Sequence, residues 1–360
     1  MTVPLTATRG KIRILVVEDS LTVRRHLCDL LASDPELSVI GEGEDGIDAI
    51  ELCRTLKPDV VTMDMMMPVM NGLTATEYIM AHCPTPILIV SASTNRGDLF
   101  KTYEALAAGA VDVLEKSAAA NDLWAQRFRS TVKMVARIRV ITHPLARLAG
   151  YIANLAQEPQ PMGFSPRRFR LVAVGASTGG PGAIVELLRA LPLGFPLPLV
   201  LVLHISEPFG VAFAGWLDGQ SHLRVAFARD GEPFSSAAGR VVMAPPGQHL
   251  SIADGRFRLT REAERHSCRP SVDVLFESVA KEFGRSAAAC LLTGMGRDGA
   301  AGLLRIRTAG GFTIAQDEAT SVVYGMPREA VLLGAAEHVL PLSGIGPAVA
   351  RLAAMDEDGG

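Results

Sequence analysis

A serine set between glycines is the feature of this sequence with the clearest chemical potential. The run Gly175-Ala176-Ser177-Thr178-Gly179-Gly180 follows the apolar residues Leu171–Val174 and precedes a helical pattern that opens at Pro181. A turn of this kind between a strand and a helix lifts a serine hydroxyl clear of a sheet, where it can attack a carbonyl carbon. The helix N-terminus would place N–H donors near the developing oxyanion. A glycine-rich turn before a helix can equally hold a phosphate, so both interpretations are open.

A strand-end histidine could serve this serine as a base. His204 follows the apolar run Leu199–Leu203 and is the one histidine of eight in such a position. Because the carboxyl ends of parallel strands share one edge of a sheet, we expect His204 to lie near Ser177. The other seven histidines are interpreted as surface or structural residues.

An acid that orients the histidine should also follow a strand. Asp298 does so, after Leu291–Thr293 and the turn Gly294-Met295-Gly296, whose N–H groups are candidates for an oxyanion site. Two alternatives stay open at this point. Asp298 could cap the helix that follows it, and Asp273, early in another predicted helix, could be the acid instead.

A second cluster of reactive groups lies in the first third of the chain. Glu18 and Asp19 follow one predicted strand, and Asp64 follows another. Like charges that converge at a sheet edge repel unless a cation neutralises them, and Mg²⁺ prefers such oxygen ligands. Ser91 ends a further strand, and Lys116 follows the next. A carboxylate beside a metal ion, a hydroxyl and an ammonium group is suited to accept a phosphoryl group.

The elements that would position these residues form two α/β units. Residues 11 to about 118 alternate strands with helices, and the mostly continuous apolar character of the strands favours a parallel sheet covered on both faces. The predicted strands are Ile12–Val17, Ser38–Ile40, Val60–Met63, Ile87–Val90 and Val111–Leu114, and the predicted helices include Ser20–Ala32 and Asn71–His82. This pattern predicts a doubly wound domain.

A second parallel-sheet unit is predicted after a linker. An amphipathic helix around Trp124–Arg139, whose basic face is interpreted as solvated, and a proline-containing stretch precede it. Its predicted elements are the strands Leu171–Val174, Leu199–His204, Ala288–Thr293 and Gly311–Ala315, with Gly239–Ala244 and Arg256–Leu259 interpreted as a small antiparallel hairpin region. We predict a first domain at residues 11–128, an interdomain helix and linker at 129–168 and a second domain at 169–356.

Composition narrows the class of protein. With 360 residues, of which 48% are apolar and 20% charged, the chain can bury two ordinary hydrophobic cores. The net charge of −3 gives no sign of a nucleic-acid or anionic-membrane partner. Five scattered cysteines without a C-x-x-C motif indicate neither a disulfide framework nor a zinc site. Residues 1–10 lack the apolar core of a signal peptide, and no apolar run approaches membrane-spanning length. We therefore expect a cytoplasmic protein without membrane insertion.

Residues 11 to about 118 resemble the receiver domain of response regulators, which has a flavodoxin-like fold. The site residues that this resemblance implies are Asp64 as phospho-acceptor, Glu18, Asp19 and the Met66 carbonyl as further Mg²⁺ ligands, Ser91 as switch hydroxyl and Lys116 as phosphate-binding lysine. Two positions depart from the common receiver pattern. Ser117 stands where proline is common, and Val113 stands where an aromatic residue is often found.

Residues 170 to about 355 resemble the catalytic domain of the chemotaxis protein-glutamate methylesterase family (CheB), which has a Rossmann-like parallel sheet. The motifs that carry the resemblance are Gly175–Pro181, His204, Arg269–Asp273, Leu292–Ala300, Ile314–Gln316 and Tyr324–Arg328. The resemblance implies Ser177 as nucleophile, His204 as base and Asp298 as orienting acid. Thr178 and Met295 would help to shape the oxyanion site.

Two segments depart from the common sequence of that family. Ile205–Phe209 replaces a segment that often contains two prolines, and Cys268 stands where histidine is common. Both are expected to border the substrate and to bear on receptor preference. Cys268 could itself be read as a thiol nucleophile, which we disfavour because no base is evident in its motif.

Together the two domains imply an enzyme that phosphorylation activates. By resemblance, it hydrolyses glutamate methyl esters on chemoreceptors and deamidates specific glutamines through an acyl-enzyme. A chemosensory histidine kinase would be the phosphodonor and methylated chemoreceptors the substrate. Mg²⁺ at the receiver would be the cofactor, and the esterase chemistry would need none. Two alternatives remain: a receiver that controls a binding module, and an acyl hydrolase that acts on a non-receptor substrate.

Overall fold

The computed structural model describes residues 10–92, 96–116, 122–138, 140, 168–205 and 209–354. The chain divides into two compact units, and the division falls among residues 141–167, outside the described ranges. The proline-containing linker predicted from the sequence lies in those residues. The predicted domain boundaries therefore stay predictions.

The first unit is a five-stranded parallel sheet with the order β2-β1-β3-β4-β5. Its strands are β1 (Ile12–Val17), β2 (Leu37–Gly43), β3 (Val60–Met63), β4 (Ile87–Ser91) and β5 (Asp112–Glu115). Its helices are α1 (Leu21–Ala32), α2 (Gly46–Leu56), α3 (Gly72–His82), α4 (Arg96–Ala107) and α5 (Asp122–Val135). The doubly wound domain predicted for this part of the chain is confirmed.

The central strands β3 and β4 are buried along their whole length, which explains their continuous apolar sequences. Helix α1 packs against α5, while α2, α3 and α4 pack in succession. Phe128 and Val132 bury one face of α5 against this unit. On its other face Lys133 forms ion pairs with Asp34 at 2.7 Å and Glu36 at 3.0 Å, so part of the basic face is paired rather than merely solvated.

The second unit is a seven-stranded parallel sheet with the order β14-β13-β12-β6-β7-β9-β8. Its strands are β6 (Leu171–Ala176), β7 (Leu199–Leu203), β8 (Arg224–Phe227), β9 (Arg240–Met243), β12 (Ala287–Leu291), β13 (Phe312–Gln316) and β14 (His338–Leu340). Its helices are α6 (Gly180–Arg189), α7 (Phe213–Gln220), α8 (Val272–Phe283), α9 (Ala300–Thr308), α10 (Met326–Leu332) and α11 (Leu342–Ala354). The Rossmann-like sheet predicted for this unit is confirmed.

The small antiparallel hairpin exists, but one of its predicted strands was wrong. Strand β10 (His249–Ala253) pairs antiparallel with β11 (Arg256–Thr260), whereas β9, within the predicted Gly239–Ala244, runs parallel to β7 and β8 in the main sheet. The turn between β10 and β11 is Asp254-Gly255, with φ of +53° and +66°. An Asp-Gly pair suits a two-residue hairpin turn, so this signal was present in the sequence.

Each sheet has a point at which the strand order reverses. In the first unit β1 lies between β2 and β3, and in the second β6 lies between β12 and β7. In open parallel sheets the crevice at the carboxyl ends of such strands is the usual ligand site. No helix among the described residues is long and apolar enough to cross a membrane.

Candidate functional site

Ser177 sits at the reversal point of the second sheet, directly after β6 and three residues before α6. Its backbone N–H donates to the Thr293 carbonyl at 3.0 Å, and its carbonyl accepts from Gly180 at 2.6 Å. Gly179 has φ +77°, a left-handed conformation that glycine adopts at little cost. The strand–turn–helix geometry predicted around the serine is thus present, and the serine is half-buried.

His204 follows β7, the neighbouring strand. Its backbone N–H donates to the Ala176 carbonyl at 3.0 Å, which ties it to the residue before Ser177. The His204 Nε2 lies 2.9 Å from the Asp298 Oδ2. The structure therefore joins the predicted base to the predicted acid across 94 residues of sequence.

The Asp298 carboxylate is buried, with 2% of its side chain exposed, and is held by four donors. Besides His204, Ser271 Oγ donates to Oδ1 at 2.8 Å, Val272 N–H to Oδ2 at 2.7 Å and Asp273 N–H to Oδ1 at 3.1 Å. These three donors lie at the N-terminus of α8, where the helix dipole favours an anion. Asp298 therefore does not cap the helix after it, as one alternative supposed, since α9 has Gly299 at its N-cap.

His204 and Asp298 shift each other's pKa. Burial alone would raise the pKa of Asp298, but the hydrogen bonds from His204, Ser271 and Val272 lower it below its ordinary value. Burial alone would lower the pKa of His204, but the bond to Asp298 and the contact with Cys268 raise it to about 9. The geometry thus favours an imidazolium facing a carboxylate.

The alternative acid, Asp273, has a different role. Its Oδ1 accepts from the Gly302 N–H at 2.6 Å, and its Oδ2 lies 3.1 Å from His266 Nε2. Asp273 therefore links α8 to α9 and does not contact His204. Asp298 is the carboxylate that orients this histidine in the structure.

Ser177 and His204 are neighbours in the sheet, yet their side chains are not hydrogen-bonded. Their strands are aligned so that Ala176 is opposite Leu203, the residues just before the pair. Within the described part of the chain, the Ser177 hydroxyl makes no hydrogen bond to His204. Catalytic contacts often tighten only when substrate binds. Because Nε2 faces Asp298, Nδ1 is the ring nitrogen left to accept a proton from the serine.

Cys268 has a base beside it, which its own motif did not reveal. Its Sγ lies 3.6 Å from His204 Nδ1 and 3.4 Å from the His266 carbonyl oxygen. The contact arises because residues 265–268 form a tight turn in which Arg265 and Cys268 exchange backbone hydrogen bonds. No base is evident in the Cys268 motif itself, but the structure brings the His204 imidazole beside the thiol from the end of β7.

A buried polar network behind Ser177 went unassigned in the sequence. Thr293 Oγ1 donates to the Thr178 carbonyl at 2.9 Å and accepts from the Val323 N–H at 2.9 Å. The Thr293 N–H in turn donates to Gln316 Oε1 at 2.8 Å. Both polar side chains are essentially buried, so the network fixes the loop that carries the serine. Their strand-end positions after β12 and in β13 were the available signal.

The two residues predicted to shape the oxyanion site flank the serine loop and the turn after β12. Thr178 is half-buried, and the side chain of Met295 is 55% exposed. Gly294 lies against the serine, since a Cβ built on it would be 2.8 Å from the Ser177 Cβ and 2.3 Å from the Met326 Sδ. The oxyanion role of Thr178 and Met295 stays a prediction.

In the first unit, the predicted acids converge at the carboxyl edge of β1 and β3. Carboxylate oxygens of Glu18, Asp19 and Asp64 all lie within 4.8 Å of one another. Lys116 Nζ lies 2.7 Å from Glu18 and 2.9 Å from Asp64. Burial raises the pKa of both Glu18 and Asp64, against the opposing effect of the Lys116 ammonium. The site therefore carries more desolvated negative charge than one lysine relieves.

That donor set fits a hard divalent cation. It offers three carboxylates, two of them buried, and carboxylate oxygens are the preferred ligands of Mg²⁺. The Met66 carbonyl follows the same strand end as Asp64, and the Met66 side chain is exposed. Ser91 is buried at the end of β4, and its carbonyl accepts from the Lys116 N–H at 2.9 Å. One edge of the sheet thus carries all five strand-end residues, which are Glu18, Asp19, Asp64, Ser91 and Lys116.

Two residues that shape this acid site were missed. Arg24 is buried, donates to the Glu18 carbonyl at 2.6 Å and pairs with Glu44 at 2.8 Å. Gly72 approaches the loop after β3 so closely that a Cβ there would lie 2.1 Å from the Asp64 carbonyl oxygen. Glycine is required at such an approach, and Asn71-Gly72 at a helix start was the sequence signal.

Comparisons with known proteins agree with the two-unit architecture. The family described as CheB methylesterase matches residues 172–349, and the response regulator receiver domain matches residues 14–127. A curated protein-glutamate methylesterase/protein-glutamine glutaminase of Anaeromyxobacter dehalogenans is 43% identical over 343 residues, covering 95% of this chain and 97% of the relative. One of Nitrosospira multiformis is 41% identical over 348 residues, with the same coverage of 95% and 97%.

A solved structure titled as the CheB methylesterase catalytic domain of Thermotoga maritima is 35% identical, has a TM-score of 0.49 and covers 52% of this chain and 100% of that one. The two family matches define this chain as a response regulator receiver domain joined to a methylesterase domain. The chain belongs to the protein-glutamate methylesterase/protein-glutamine glutaminase family.

Proposed function

We propose that this chain hydrolyses glutamate methyl esters on chemoreceptors and deamidates specific receptor glutamines, under the control of its receiver domain. The observation that carries the proposal is the 2.9 Å contact between His204 and Asp298 at the strand end beside Ser177. The names and coverage of the relatives support the same activity.

In the proposed mechanism, Ser177 Oγ attacks the carbonyl carbon of the glutamyl side chain. His204 Nδ1 takes the hydroxyl proton, and Asp298 holds the imidazole by Nε2 and stabilises its charged form. The candidates to stabilise the oxyanion are the backbone N–H groups of the serine turn after Ser177 and those of Met295 and Gly296, with Thr178 and Met295 shaping that site. The N–H groups of Ser177 and Gly294 already donate to the Thr293 and Val323 carbonyls.

Collapse of the tetrahedral intermediate forms the acyl-enzyme, and water then releases the product. His204 returns the proton to the leaving group, which departs as methanol from an ester or as ammonia from a glutamine. A water molecule, deprotonated by the same ring, then attacks the acyl carbon, and the ring gives that proton to Ser177 Oγ as the glutamate carboxylate leaves. Side chains and backbone N–H groups of the protein, with water, supply this chemistry, so we propose no cofactor for the esterase step.

For the receiver we propose Asp64 as the phosphorylated residue. Glu18, Asp19, Asp64 and the Met66 carbonyl would hold Mg²⁺, which when bound neutralises phosphoryl charge. Lys116 Nζ already lies 2.9 Å from Asp64 and is placed to pair with a phosphoryl oxygen. Ser91, at the end of the adjacent strand, would donate its hydroxyl to the same group.

The partners follow from this chemistry. The phosphodonor would be a histidine kinase of a chemosensory array, and the substrate would be methylated chemoreceptors. We propose a cytoplasmic location, because the kinase and the methylated receptor helices would be reached there. The net charge of −3 gives no support for a nucleic-acid partner.

The test is methanol release from methylated receptor by the full-length protein. We expect Ser177→Ala and His204→Ala each to lower turnover at least about 1,000-fold, and the double variant to lose little more, because the residues act as a unit. Wild-type turnover in Ser177→Ala would exclude the serine mechanism. Release of carboxylate from small esters but no methanol from receptors would favour the acyl-hydrolase alternative, and no hydrolysis at all would favour the binding module.

A further inference from the structure

Cys268 and His204 form a pair that the proposed reaction does not explain. The thiol sulfur faces the one imidazole nitrogen that Asp298 does not occupy, at 3.6 Å. Both side chains are half-buried, and the His204 side chain keeps 13% exposure. A cysteine sulfur, a histidine nitrogen and a carboxylate oxygen lie here within 4.8 Å of one another.

The distance between Cys268 Sγ and His204 Nδ1 matches the distance between two ligands of a tetrahedral metal ion. Zinc binds histidine nitrogen at about 2.0–2.1 Å and thiolate sulfur at about 2.3 Å, which at a tetrahedral angle puts the two ligands about 3.6 Å apart. The structure has 3.6 Å between His204 Nδ1 and Cys268 Sγ. An ion could therefore enter without a change in the distance between its ligands.

Asp298 completes the usual surroundings of such a ligand. Metal-bound histidines commonly donate their second N–H to a carboxylate, which orients the ring and increases its basicity. Asp298 Oδ2 lies 2.9 Å from His204 Nε2 and is itself held by the N-terminus of α8. The ring is thus fixed with Nδ1 directed at the sulfur.

We propose that Cys268 Sγ and His204 Nδ1 form a Zn²⁺ site, completed by water, and that its occupation switches off the esterase. The inhibitory part rests on the proposed function, in which Nδ1 is the base. Binding displaces the thiol proton, and any proton on Nδ1, to solvent. While the metal holds Nδ1, that nitrogen cannot accept the Ser177 proton.

Ligand chemistry separates this ion from the receiver cation. Sulfur and imidazole suit zinc, whereas Mg²⁺ takes oxygen ligands such as those around Asp64. The absence of a C-x-x-C motif, which argued against zinc in the sequence, does not apply because the two ligands lie 64 residues apart.

The binding test uses full-length protein, stripped of metal and supplied with Mg²⁺, and titrated with Co²⁺. We expect a thiolate-to-cobalt charge-transfer band that saturates at one equivalent and is displaced by Zn²⁺. Cys268→Ser should lack the band, while Cys83→Ser, a half-buried cysteine of the other unit, should keep it. Asp298→Asn should weaken Zn²⁺ binding about 10- to 100-fold. No band in the wild type, or an unchanged band in Cys268→Ser, would overturn the site.

The functional test compares methanol release with and without Zn²⁺ for each variant. At a Zn²⁺ concentration about ten times Kd, wild-type turnover should fall about tenfold and recover with a chelator, because inhibition follows occupancy. The same ratio should stay near one for Cys268→Ser. Metal binding without loss of turnover would overturn the switch. If the zinc-free wild type releases no methanol, the proposed function fails, and the cobalt band still decides the metal site.

Discussion

Among the residues of the Ser177 site, Asp298 is the carboxylate that contacts the His204 imidazole. It accepts hydrogen bonds from His204, Ser271, Val272 and Asp273, and each donor favours its ionised form. A carboxylate so fixed can hold the imidazole in one tautomer and stabilise its positive charge. The four hydrogen bonds prevent the carboxylate from rotating, and this fixes the orientation of the His204 ring.

This pairing predicts how activity depends on pH. The pKa of His204 is raised to about 9, so the free enzyme carries mostly imidazolium at neutral pH. A base must be neutral to act, so kcat/KM should rise about tenfold per pH unit and level off near that pKa. Asp298→Asn removes the charge that raises it, so the bend should move to lower pH and the plateau should fall.

The measurement is methanol release from methylated receptor over a pH series, at substrate concentrations well below KM. The wild type and Asp298→Asn should be compared in the same buffers, with folding checked by circular dichroism at each pH. An identical bend in both proteins would show that Asp298 does not set the His204 pKa.

At the scale of elements, the loop after β12 packs against the loop after β6 with little room between them. Gly294 donates its N–H to the Val323 carbonyl at 3.0 Å and accepts from Met326 at 2.8 Å. The position that a side chain would take on Gly294 faces Ser177. The nucleophile is therefore placed by a neighbouring strand end as much as by its own turn.

We predict that Gly294→Ala impairs catalysis more than stability. The added Cβ would lie 2.3 Å from the Met326 Sδ and 2.8 Å from the Ser177 Cβ, so the serine loop must shift. A misplacement of a catalytic group by about 1 Å costs about 100-fold in turnover. Gly219→Ala is the matched control, since nothing lies within 4 Å of its added Cβ.

Both variants should be assayed for methanol release and for thermal unfolding. We expect Gly219→Ala to keep wild-type turnover. Wild-type turnover in Gly294→Ala would show that the loop after β12 does not position the serine.

At the scale of the whole molecule, the two units repeat one principle with different chemistry. Each places its reactive groups at the carboxyl edge of a parallel sheet, beside the strand where the order reverses. In one unit the edge carries buried carboxylates and a lysine, and in the other a serine, a histidine and a carboxylate. The proposed phosphorylation of Asp64 would change the charge at the first edge, which is a change that a regulatory domain can transmit.

We predict that a small-molecule phosphodonor with Mg²⁺ raises methanol release by the full-length protein. Asp64→Ala should stay at the low basal rate, because the acceptor is gone. A fragment from about Phe169 to the C-terminus should exceed the unphosphorylated full-length rate and ignore the phosphodonor, if the receiver shields the Ser177 cleft. Equal turnover of the unphosphorylated full-length protein, the phosphorylated full-length protein and the fragment would show that the receiver acts by localisation and not by inhibition.

The sequence by itself determined the strands that carry the site residues and much of the chemistry. Short continuous apolar runs bounded by turn signals are typical of buried strands, so the positions of Ser177, His204 and Asp64 at strand ends followed from local pattern. The carboxyl edge of a parallel sheet then brings such residues together whatever the lengths of the connections. The receiver and esterase resemblances rest on these same local motifs.

Tertiary structure alone decided the contacts between distant segments. It paired Asp298 with His204 and Asp273 with His266, a choice that local capping signals left open. It placed Cys268 against the same imidazole, and it put β9 in the main sheet. These outcomes depend on contacts between segments that lie many residues apart in the chain. Local propensity and periodicity carry no information about such contacts.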